Sequence, residues 1–174
     1  MYRLFLLLSV MITSSCAVPK AQKSDQRAEI PAPQISCPEG GNCSFEVFER
    51  SRLDLQRNRE GKIDPQIKEG NQLVVKYHYE KKPGADALDS GYDEYLYLEI
   101  DPGQDQIILR DKELQQVKMT FGRICYCKGA MGYFPVLQGQ LFVFNKKGNL
   151  QIRSNFNVQK VPQITEHIDE NINY

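Results

Sequence analysis

Alternation of apolar and polar side chains with period two dominates the chain from residue 37 onward, and no window carries a convincing helical period. The C-terminal part shows it best. Leu150, Ile152, Phe156 and Val158 fall in one phase, and Gln151, Arg153, Asn155 and Asn157 fall in the other. Ahead of them residues 141–144 form an apolar strand end, and Lys146-Lys147-Gly148-Asn149 supplies a turn in which glycine takes positive φ at no steric cost. The pattern predicts a hairpin. Similar runs predict strands at residues 45–48, 73–79, 95–100 and 106–109, and a longer one at 117–127 with a bulge at Gly122. Turn formers separate them (Glu60-Gly61-Lys62, Lys82-Pro83-Gly84, Asp101-Pro102-Gly103), and residues 111–116 suit a single helical turn. Roughly seven or eight short strands at this spacing predict an all-β domain, an antiparallel β-sandwich or small barrel.

The first 36 residues break this pattern. Arg3 precedes an apolar run at residues 4–12, LFLLLSVMI, and small polar residues (Thr13, Ser14, Ser15) follow. A span of the hydrocarbon core needs about 20 apolar residues, so this run is too short to cross and has the layout of a secretory signal peptide. Residues 17–36 carry Lys20, Lys23, Asp25, Arg27 and Glu29 among small side chains, then Pro31 and Pro33. Too little apolar surface is present to offset ordering entropy, which predicts a flexible tether. Fully extended, its reach is about 60–70 Å. The expected organisation is a signal peptide at 1–15, Cys16 with its tether at 16–36, and one β-domain at 37–174.

Charge adds an exclusion. The 22 basic and 22 acidic side chains of the chain, less the 4 and 2 that precede Cys37, leave the domain at a formal −2. No basic stripe is present, so a nucleic-acid partner is not expected.

Four cysteines remain beyond Cys16: Cys37, Cys43, Cys125 and Cys127. In an exported chain an even set predicts disulfides. In an extended strand Cys125 and Cys127 share a face about 6.6–6.8 Å apart, the upper edge of what a disulfide spans. The expectation is therefore cross-pairing, with each of them bridged to the segment holding Cys37 and Cys43. Each such bridge closes a loop of about 85 residues and stabilises by about 4–5 kcal/mol in the chain-entropy picture. A four-thiolate metal site is disfavoured because C-x5-C and C-x-C are not the usual zinc spacings. A redox-active pair is disfavoured because C-x-C is not C-x-x-C.

Other chemistry is sparse. The two histidines are His78, expected at a polar surface position beside Lys76, and His167, expected in a C-terminal tail. No nucleophile elbow, zincin, P-loop or dinucleotide fingerprint is present, and no cofactor is expected. Asp86, Asp89, Asp93 and Glu94 cluster around Gly91 and offer an alternative reading as a weak calcium loop, without the spacing of an EF-hand. Tyr92, Tyr95 and Tyr97 offer a binding surface. With Leu96, Leu98 and Ile100 facing the core, Tyr95 and Tyr97 face outward as broad rings with polar tips. Cross-strand pairing within one sheet is the plainer role for them.

Ser14-Ser15-Cys16, behind the apolar run, resembles the lipobox of bacterial lipoproteins, with Thr13 where that family carries an aliphatic residue. The resemblance implies that Cys16 is lipidated and that the protein sits at the cell envelope on a lipid anchor. Cleavage between Ala17 and Val18, at the small pair Ser15 and Ala17, would instead release a soluble secreted protein. Residues 122–129 (GRICYCKG) with the hairpin at 141–158 resemble exported proteins of the Bacteroidota, a likeness that implies no activity. The expected function is a membrane-anchored extracytoplasmic binding or structural module with an envelope protein or surface ligand as partner. A calcium-binding sensor or carrier is the alternative, and an enzyme comes last.

Overall fold

The computed structural model of the chain describes residues 37–82, 91–127, 131–146 and 148–174. The signal segment, Cys16 and the tether lie outside the described residues. The all-β expectation holds: two antiparallel sheets, one of six strands closed into a barrel and one of four, account for the domain. Among the described residues ten strands form, more than the seven or eight expected. The additions are β2 (Ile63–Glu69), β7 (Gly132–Pro135) and β10 (His167–Asn173), all half-exposed and rich in polar or turn-forming residues.

The barrel begins with β1 (Gly41–Arg57), a strand of 17 residues. Its first half pairs with β3 (Gln72–Lys81) as far as Phe48↔Val74, and the register then shifts before Ser51↔Gln72. Arg50 lies at φ +47° within that irregularity, and Gly70 N donates to its carbonyl at 2.9 Å. The second half of β1 turns away and pairs with β2 from Ser51↔Glu69 to Arg57↔Ile63. A bulge bends a strand and raises its twist, and here it curls the β1–β2 ribbon over the sheet. β4 (Tyr92–Ile100) and β6 (Thr120–Cys125) continue from β3, and β7 pairs with β6 at four positions. The circle closes at one residue pair between β2 and β7, Ile63↔Tyr133.

The second sheet runs β10-β9-β8-β5, with β5 at Gln106–Arg110, β8 at Gln138–Lys146 and β9 at Asn149–Asn157. The predicted hairpin is β8–β9, with Gly148 at φ +80°. A 3-10 helix at Asp111–Val117 carries the chain from β5 to β6. It occupies the start of the strand expected at 117–127. Lys118 takes the left-handed conformation and its N–H bonds Gln115 O, so Val117 ends a helix and β6 begins only at Thr120. Gly122 forms no bulge, since its pairing is regular on both sides. Its missing side chain admits the Tyr133 ring, because a Cβ there would lie 2.4 Å from that ring.

Two apolar clusters result. The larger lies between the β3–β4–β6 wall and the second sheet. It joins Val75, Tyr77, Leu96, Leu98, Ile100 and Phe121 to Leu141, Val143, Leu150, Ile152 and Phe156. The smaller lies inside the barrel, where Leu53, Val74 and Tyr97 are buried with Phe48, Leu55, Ile67, Tyr95 and Tyr133 packed on them. β3 therefore contributes Leu73, Val74 and Val75 in succession, apolar to both faces.

Candidate functional site

Alternation along β4 separates its functional side chains into two sets. Asp93, Tyr95, Tyr97 and Glu99 face the barrel interior. Tyr92 and Glu94 share the phase of Leu96, Leu98 and Ile100 and face the second sheet. The outward tyrosine surface expected from sequence is thus corrected: Tyr95 and Tyr97 share a face that lines the barrel, with Tyr97 buried, and Tyr92 lies on the other side.

His78 on β3 pairs opposite Tyr95, and the two rings stack with centroids 4.5 Å apart and planes 8° from parallel. Asp93 accepts from His78 Nε2 at 2.6 Å, which orients the imidazole and fixes its tautomer. His78 is therefore a half-buried, anchored ring. Tyr97 and Tyr133 meet edge to face with centroids 6.0 Å apart, and Tyr95 lies 6.4 Å from Tyr97 and 6.5 Å from Tyr133. Lys76 Nζ stands 5.8 Å from the Tyr95 ring centre and bonds Glu46 at 2.8 Å. Four rings, one anchored imidazole among them, form a contiguous lining with charged groups at its edge.

Burial raises the phenol pKa of Tyr97 well above the usual value, with neighbouring Tyr133 adding to the shift. Tyr95 and Tyr133 are raised for the same first reason, with Asp93 next for Tyr95. On the opposite face burial pushes Tyr77 up to about 12, despite a bond to Thr165, and pushes Tyr92 up to about 12, where Glu94 also accepts its proton. The folded domain therefore keeps protons that an unfolded chain releases near pH 10. Stability contributed by these neutral phenols is complete below pH 10 and is lost as pH rises from there through about 12. Ultraviolet titration should show their phenolates only together with loss of the β-sheet signal. Phenolate formation near pH 10 by all of these tyrosines with the sheets intact would contradict this.

Glu94 is fully buried, and its carboxylate accepts from Ile164 N at 2.6 Å, Thr165 N at 2.7 Å and Tyr92 Oη at 2.6 Å. Arg123 sits opposite it in register and stands 5.3 Å from the Tyr92 ring centre. This acid fastens the connection between β9 and β10 onto the barrel. Of the four carboxylates in the calcium reading, the structure describes two, on opposite faces of β4. Asp93 is engaged by His78 and Glu94 faces the other way, while Asp86 and Asp89 lie outside the described residues. Among the described residues no group of three or more His, Cys, Asp or Glu side chains is placed to hold a metal.

The cysteines pair locally, Cys37 with Cys43 and Cys125 with Cys127, so the expected cross-pairing is corrected. Strand order gives the reason. Cys43 on β1 and Cys125 on β6 are separated by β3 and β4, three inter-strand steps or about 14 Å along the sheet, beyond the reach of a disulfide. β6 ends at Cys125, and the bend at Tyr126 brings the Cα atoms of Cys125 and Cys127 to 5.3 Å, closer than in an extended strand. Cys43 Sγ also lies 3.1 Å from Tyr77 Oη, at the edge of the larger core.

Sequence reading missed Tyr133 and the role of His78. Tyr133 stands in a short turn-like stretch with no periodicity, and it reaches the site only because β7 closes the barrel. The separation of Tyr92 from Tyr95 was available in the parity of their positions. No family model, no curated protein and no solved structure matches this chain.

Proposed function

We propose that the protein is an extracytoplasmic binding module, held at the envelope by a lipid on Cys16 and carried on the tether at 17–36. Its contact surface is the half-buried part of the barrel lining, His78, Tyr95 and Tyr133, backed by the buried Tyr97. The observation that supports this reading is the continuity of those rings, with His78 stacked on Tyr95 and anchored by Asp93. Rings of this kind give large contact area at low entropic cost, with polar tips for specificity. Charged groups at the edge, Lys76 and Glu46, suit a partner that is itself polar.

Two measurements test the two halves of this reading. The wild-type chain should incorporate an alkyne-tagged fatty acid in cells and Cys16→Ala should not; equal labelling, or none in either, removes the anchor. Purified Cys16→Ala protein should co-sediment with envelopes from the producing cells, and the added change Tyr95→Ala should abolish this while the β-sheet circular dichroism of the folded domain is retained. Equal sedimentation of both proteins, or of neither, removes the binding surface.

A further inference from the structure

A groove of about 550 Å³ crosses the seam where the barrel closes, a size suited to a small organic ligand. Three separate stretches line it: the β1–β2 turn, β7, and the start of the connection after β9. They bring Arg57, Lys62 and Lys160 to one depression, and among the described residues no carboxylate belongs to its lining. This runs against the formal −2 of the domain at 37–174. The apolar part of the lining comes from Ile63, Met131, Tyr133, Phe134 and Pro135.

The cations are available to a ligand. Arg57 Nη1 donates to Gly61 O at 2.8 Å, which holds the guanidinium in place and leaves the rest of its fork for a two-oxygen acceptor. Lys62 pairs with Glu60 at 2.7 Å, but both side chains are about two-thirds exposed, at 64% and 69%. Exposed pairs of this kind are worth about 0–1 kcal/mol, so an incoming anion displaces Glu60 readily. Lys160 has no acidic partner within ion-pair distance among the described residues.

We infer that this groove is a second binding site and that it takes a small organic acid of about disaccharide size, bearing a carboxylate or sulfate. The anionic group is held by Arg57 with Lys62 and Lys160, and the body of the ligand lies against the apolar lining of Ile63, Met131 and Pro135. The inference goes beyond the barrel-lining reading; the two sites share Tyr133, but the cations that hold the anion are not part of that lining. A ligand here spans both sides of a seam joined at one residue pair, Ile63↔Tyr133, and so ties β2 to β7.

Calorimetric titration with digalacturonate, its methyl diester and acetate tests the site at low salt. Digalacturonate should bind, and the uncharged diester should bind at least about tenfold more weakly, the loss expected when charge-assisted bonds go. Arg57→Gln and Lys160→Gln should each weaken digalacturonate about tenfold on the same scale. Tyr95→Ala should leave it unchanged, which keeps this result separate from the fate of the barrel lining. Arg57 and Lys160 are exposed, so melting curves of their variants should match the wild type. Equal binding of acid and diester, equal binding of acetate, no effect of either substitution, or no binding of digalacturonate would each overturn the proposal.

Discussion

Glu94→Ala is expected to lower the free energy of unfolding by about 3–5 kcal/mol, the range seen when one member of a buried charged network is removed. The carboxylate is fully buried and serves three donors: the backbone amides of Ile164 and Thr165 and the phenol of Tyr92. Alanine leaves these donors without an acceptor and leaves a cavity at a wall between two sheets. It also leaves Arg123, opposite in register, beside a neutral gap. Glu94→Gln should recover little, because its amide keeps one acceptor oxygen and turns an NH₂ group toward donors. Urea unfolding followed by circular dichroism measures both variants. A loss below about 1 kcal/mol for alanine, the worth of one ordinary hydrogen bond, would show that the acid is not the fastening that its bonds describe.

The second large effect belongs to the other face of the same strand. Glu99 Oε2 accepts from Leu53 N at 2.6 Å and from Lys118 Nζ at 2.8 Å, and Lys118 also donates to Leu53 O at 2.8 Å. These bonds pin the curled half of β1 against β4, where no strand ladder joins the two. Glu99→Ala should cost about 1–3 kcal/mol, since it leaves the Leu53 backbone donor without its acceptor and takes away the counter-charge of a partly exposed lysine. Glu99→Gln should cost about half as much, because one oxygen still serves Leu53 N–H. Hydrogen exchange gives the discriminating readout. The Leu53 amide should lose protection out of proportion to amides of β8 and β9, and uniform loss across both sheets would contradict a local latch.

Much of this fold was legible in the alternation of side chains, because a half-buried strand writes its orientation into the sequence. Leu150, Ile152, Phe156 and Val158 share one phase and are all buried. Residues 73–79 and 95–100 fall inside β3 and β4. Other strands left no such mark. β2 carries Pro65 among charged neighbours, and β10 has only Ile168 and Ile172 as apolar members, as edge or curled strands do. The order of strands across the sheets is a long-range property, and the cysteine partners depended on it. Tyr95 and Tyr97 were readable as one face, whereas Tyr133 joined them through a closure that no local pattern encodes.

The wall formed by β3, β4 and β6 turns an apolar face to the second sheet, and that makes each sheet depend on the other. A chain cut after β7 would retain every strand of the barrel and still expose Tyr77, Leu96, Leu98, Ile100 and Phe121 to water. Such a patch promotes association with other chains. The four-stranded sheet by itself would fare no better, since Leu141, Val143, Leu150, Ile152 and Phe156 would have nothing to lie against. Each sheet is the other's cover, so insertions that leave the facing residues intact belong in the turns.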